Sequence, residues 1–130
     1  MVLDSHTHKS RPGAVVNIDP VSTYSRDIVL EDDRYYTVGI HPWNAGCYTA
    51  RDIGTLRRLA VSPRVVAIGE AGLDAVHESY EWVQKGKSRM VVQAHPDIDK
   101  QMELLKQHIE LSEQLGKPLL LHVVKLYNEI

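Results

Sequence analysis

The chain has 130 residues, 43% hydrophobic and 25% charged, with a net charge of −2. This predicts one globular domain with a core of ordinary size. The charge excludes the broad basic footprint of a protein that wraps nucleic acid, although it leaves room for a metal site that handles phosphates, because the metal supplies the positive charge. A lone cysteine, Cys47, excludes an internal disulfide and suits a reducing cytoplasm, the location expected here. With no signal peptide or long apolar run in view, neither secretion nor a membrane partner is expected.

Met1 to Leu3 reads as a short strand that runs into Asp4-Ser5-His6-Thr7-His8. Side chains alternate along a strand, so Asp4, His6 and His8 share a face, with the two imidazoles roughly 7 Å apart along the backbone. Such a pair either converges on a divalent metal or is a solvated polar strand end. Ala14 to Ile18 is short and β-branched, which predicts a second strand, ended by Asp19-Pro20. Val21 to Asp33 has no clean period and reads as loop.

Tyr35 to Ile40 predicts a third strand, stopped by His41-Pro42-Trp43. His41 therefore lies just past a strand end, where it either shapes the loop or meets substrate. Thr49-x-x-Asp52 resembles a capping box. Ile53, Leu56, Leu59 and Ala60 then follow helical spacing up to Ser62-Pro63. Val65 to Ile68 is a continuous apolar run, as in a strand covered on both faces, and it leads into Gly69-Glu70-Ala71-Gly72-Leu73-Asp74.

Ala75 to Pro96 reads as charged, exposed surface with one short helix near Tyr80 to Gln84. Asp97 or Asp99 caps the next helix. Its apolar stripes are Met102, Leu105, Ile109 and Ser112, and Leu104, His108, Leu111 and Leu115; Gly116 and Pro118 end it. Leu119 to Leu121 predicts a further buried strand, ending in His122. Strands alternating with helices or loops predict an α/β fold with a parallel sheet and right-handed crossovers.

Chemistry collects at the carboxyl ends of these strands, where α/β folds place functional residues. His6, His8, Glu70 and His122 form a plausible metal-ligand set. Each has an ordinary alternative: Glu70 as a cap, His122 as a hydrogen-bonded core residue. Asp74 reads either as a turn carboxylate or as a partner that holds a ligand in place. His77, His95 and His108 read as surface or packing residues, and Cys47 as inert.

Four segments in order, Asp4–His8, Gly39-Ile40-His41-Pro42-Trp43, Ala67–Asp74 and Lys117-Pro118-Leu119-Leu120-Leu121-His122, resemble the TatD family of metal-dependent deoxyribonucleases, within the amidohydrolase-like TIM barrels. Gln101 fits the Gln-led helix that precedes the last of these. The resemblance covers residues 2 to 125. It implies that His6, His8, Glu70 and His122 are metal ligands and that His41, Asp74 and Glu70 serve catalysis beside them. It also implies one or two divalent ions (zinc, magnesium or manganese) and DNA as substrate.

A full barrel of this type takes roughly 250 residues. Against the family pattern, the first helix is missing, the Ala75 to Pro96 segment is altered, and the chain stops after a fifth strand. The sixth-strand histidine and eighth-strand aspartate of the family have no counterpart. The expectation is therefore a single domain over residues 1–130, the N-terminal portion of the barrel, with about five parallel strands. Open sheet edges would then favour a homo-oligomer. The competing expectations are a non-catalytic module that at most binds metal, and a hydrolase of amides or lactones.

Overall fold

The computed structural model describes residues 14–22 and 28–124. The expected first strand with Asp4, His6 and His8 lies outside the described residues. Four strands form a parallel sheet in the order β1-β2-β3-β6: β1 (Val15–Ile18), β2 (Tyr35–Val38), β3 (Val65–Asp74) and β6 (Leu119–Val124). The expectation of an α/β fold with a parallel sheet is met.

Helix α1 (Ala50–Ala60) connects β2 to β3. Its capping box is present in both directions, with Thr49 accepting from the Asp52 amide and Asp52 accepting from the Thr49 amide. Helix α2 (Ile98–Leu115) starts at Asp97, which accepts from the Lys100 amide, and ends at Gly116. Both helices contribute to one core. Leu56, Leu59, Leu104 and Leu111 pack there with Val38, Ile40, Val65 and Ile68. Each such side chain contributes about 1.5–3 kcal/mol when fully buried. Lys117 ties the layers together by donating to the carbonyls of Ala60 and Ser62 at the end of α1 (2.6 and 2.7 Å).

Two expectations need correction. The short helix near Tyr80 to Gln84 is instead strand β4 (Ser79–Lys85), which pairs antiparallel with β5 (Ser88–Ala94) in a separate hairpin. Gly86, at φ +61°, opens the two-residue turn that closes the pair. The β-rich composition of Tyr80, Trp82, Val83, Val91 and Val92 then outweighs any helical reading. The last strand is also less buried than its apolar run suggests. Among the described residues β6 pairs with β3 alone, and Leu121 is 51% exposed.

At Gly72, β3 and β6 approach so closely that an added Cβ would collide with the His122 carbonyl oxygen. Only glycine permits this approach, which sets His122 directly opposite Gly72 in the register.

Candidate metal centre

The carboxyl ends of β2, β3 and β6 surround a cavity of about 570 Å³ lined by Asn17, Asp19, His41, Glu70, Tyr80 and His122, among others. His41 sits three residues past β2 as the N-cap of a 3-10 turn, Pro42–Asn44. Glu70 comes from β3 and His122 from β6. Ligand-type atoms of His41, Glu70 and His122 lie within 4.8 Å of one another. The His41 and His122 rings are 4.6 Å apart between centroids.

Hydrogen bonds define what each ring can offer. Asp74 is fully buried, and its Oδ2 lies 2.9 Å from His122 Nε2. Burial alone would raise the Asp74 carboxyl. Hydrogen bonds from His122, from the His77 and Val76 amides and from the Trp43 indole instead hold it well below the usual carboxylate range. Asp74 is therefore an acceptor and His122 donates to it through Nε2–H, a tautomer that puts the ring's lone pair on Nδ1. This is the usual way a carboxylate orients a metal-binding imidazole.

His41 is the opposite case. Its Nδ1 accepts from the Trp43 amide at 3.2 Å, so in the neutral ring the proton sits on Nε2. Burial, and then the neighbouring His122, lower the His41 pKa to about 4, which keeps the ring neutral at neutral pH. By distance His41 is a possible third donor to a metal; by tautomer it is a hydrogen-bond donor. Glu70 and His122 are thus the described donors that suit a divalent cation, as one carboxylate and one imidazole.

Behind these side chains lies a set of supports. Gln101, fully buried on α2, accepts from the Asp74 amide (2.7 Å) and donates to the Asp74 carbonyl (3.1 Å) and to Ser79 Oγ (3.3 Å). Asp19 Oδ2 accepts from the His41 amide (2.9 Å) and from Asn44 Nδ2 (3.2 Å). Burial raises the Asp19 carboxyl above its ordinary value. His108, buried on α2, accepts from the Ile40 amide and pairs its Nδ1 with the Leu104 carbonyl. It is a packing residue, as its helical position suggested.

His77 is exposed, with its side chain 56% accessible, as the surface reading expects, but it also touches the site. Its Nδ1 is 3.0 Å from Asp74 Oδ2 and its ring lies 4.8 Å from that of Trp43. Trp43 in turn donates to Asp74 at 2.9 Å. The three-residue spacing of Asp74 and His77 was the available sequence signal. Asp19 and Trp43 had no comparable one beyond their place at strand ends. His95 is exposed, and Cys47 is buried, its thiol pushed up to about 11 by that burial. Among the described residues no helix is long and apolar enough to cross a membrane.

Fold and site together define an α/β protein that gathers ligand-type side chains at the carboxyl ends of parallel strands. Within that class the chain belongs to the TatD related DNase family, whose model matches residues 13–130. It is 30% identical to the Mycobacterium tuberculosis protein named "Uncharacterized metal-dependent hydrolase TatD", over 93% of this chain and 51% of the relative. It is 34% identical to the Escherichia coli K12 protein named "Uncharacterized metal-dependent hydrolase YcfH", over 84% of this chain and 35% of the relative. A segment of 38 residues, 29% of this chain, is 60% identical to 15% of the Erwinia amylovora "3'-5' ssDNA/RNA exonuclease TatD". The chain spans about half, or less, of the length of these relatives.

Proposed function

We propose that this chain forms part of a divalent-metal centre that hydrolyses phosphodiester bonds in DNA. The observation that carries the reading is the convergence of Glu70 and a correctly oriented His122 beside His41. Names of relatives support the direction: two are metal-dependent hydrolases, and one is an exonuclease of single-stranded DNA and RNA. Family membership supports a barrel-type architecture, of which the four parallel strands would be one portion.

In this reading Glu70 and His122 hold the cation, and His6 and His8 complete the ligand set as the family resemblance implies. Zinc, magnesium or manganese held by these residues would supply acidification of water and charge neutralisation at the phosphodiester. His41 serves catalysis as a neutral donor, its Nε2–H available to a substrate phosphate oxygen. Asp74 acts through His122, as a positioning residue that selects its tautomer. The single buried cysteine suits work in a reducing compartment such as the cytoplasm.

Incubation of the purified chain with a single-stranded oligonucleotide and manganese or magnesium tests this. Cleavage is expected to stop with chelator and to be lost in Glu70→Gln and His122→Ala. Turnover that survives chelator or Glu70→Gln would overturn the reading.

A further inference from the structure

Beyond Tyr80, the β4–β5 hairpin takes no part in the proposed centre. Its sequence from Trp82 to Ala94 carries Lys85, Lys87 and Arg89 and no carboxylate, in a chain whose net charge is −2. Alternation sets Tyr80 and Trp82 on one face with Arg89 and Val91. On that face the Arg89 guanidinium lies 5.3 Å from the Trp82 ring centre, and Trp82 remains 39% exposed. The base of the hairpin is anchored, because the Trp82 indole donates to the Cys47 carbonyl and Glu81 pairs with Lys100.

The hairpin also starts at the site. Tyr80 lines the cavity that holds His41, Glu70 and His122. Together with Trp43 it also lines an adjoining cavity of about 320 Å³ that includes His77 and Gln93. Aromatic rings thus continue from the centre onto the hairpin, whose basic tip lies about 17 Å further along the strand from Tyr80. Stacking platforms interleaved with cations are how proteins hold single-stranded nucleic acid without reading its sequence.

We infer that the β4–β5 hairpin is a binding arm for single-stranded nucleic acid. Trp82 offers a stacking face, and Lys85, Lys87 and Arg89 pair with phosphates of the strand leading from the centre. The inference rests on the phosphodiesterase reading for its direction, but it concerns binding alone and has its own test.

The full chain is titrated with a fluorescent 15-nucleotide oligothymidylate in the presence of EDTA, which removes any metal-dependent contribution, across a salt series. Three phosphate contacts predict a slope of log K against log salt of about −2. The triple variant K85Q/K87Q/R89Q should lose most of that slope and bind at least about 10-fold more weakly, and Trp82→Leu should weaken binding about 5- to 100-fold. Lys106→Gln, a loss of the same charge on the exposed face of α2, should bind as the wild type does. Binding without cleavage would uphold the arm while removing the catalytic reading. If Trp82→Leu disturbs folding, as judged by its thermal melt, the triple variant at exposed positions decides. Unchanged affinity and slope in the triple variant would overturn the inference. So would self-association that the triple variant abolishes without any oligonucleotide binding, since the face would then belong to a second copy of the chain.

Discussion

Replacing Asp74 with Asn changes one atom and should disable the proposed centre without touching a ligand. In the wild type, Oδ1 accepts from the Val76 and His77 amides, and Oδ2 faces the donors of Trp43, His77 and His122. An Asn side chain must turn its NH₂ toward one of these two groups of donors. On the ring side, Trp43 Nε1–H loses its acceptor, and His122 can keep a bond only by moving its proton to Nδ1, which removes the lone pair left for a cation. On the other side, two backbone amides are orphaned. Each unsatisfied buried donor costs about 1–3 kcal/mol; these donors are part-buried, so a total of about 2–4 kcal/mol is expected. For a chain of this size that corresponds to a fall in Tm of roughly 8–15 °C. Loss of the carboxylate behind a ligating histidine costs about 10–100-fold in metal affinity. The upper end is expected here because the tautomer reverses. Zinc affinity by competition with a chromophoric chelator, measured at a temperature where both proteins are folded, is the assay. Equal affinity in wild type and Asp74→Asn would refute the assignment of His122 Nδ1 as the ligand atom.

Gln101→Leu should lower stability by about 2–4 kcal/mol in urea titrations, because it strands the buried amide and carbonyl of Asp74; a change under about 0.5 kcal/mol would show that this pairing is not structural. Stability should also fall as pH drops from about 6.5 toward 4. His41 is held near 4 in the fold by burial and by His122, so over that window the unfolded chain takes up a proton that the fold refuses, and above 6.5 neither form does. Buried His108 acts in the same sense, and Asp19, raised by burial, in the opposite one. The comparison is therefore between wild type and His41→Gln, by urea midpoints at pH 7.5, 6 and 5. Identical pH dependence in the two would refute the depressed His41 pKa.

Local rules in the sequence determine much of this protein. The capping box at Thr49 and Asp52, the helical spacing of Leu56 and Leu59, the Asp97 cap and the Gly116 stop depend on neighbours within one turn, and each is found where its residues predict. The strands at Val15, Tyr35, Val65 and Leu119 follow from short apolar runs bounded by turn residues, and their parallel order follows from the intervening helices and loops. Glu70 and His122 were legible as site candidates because both stand at the ends of such runs. The hairpin was not, since a mixed charged and apolar stretch becomes a strand pair only when its partner strand is counted.

Only the tertiary structure decides what the site side chains are. Asp74 of β3 meets His77 of the turn after it, Trp43 of the 3-10 segment and His122 of β6, which lie 3, 31 and 48 residues from it in sequence. The His41 tautomer is set by the Trp43 amide two residues on, but which nitrogen of His122 carries the proton depends on Asp74, 48 residues away. No local pattern encodes that choice, because it follows from which donor and acceptor the folded chain places within hydrogen-bonding reach.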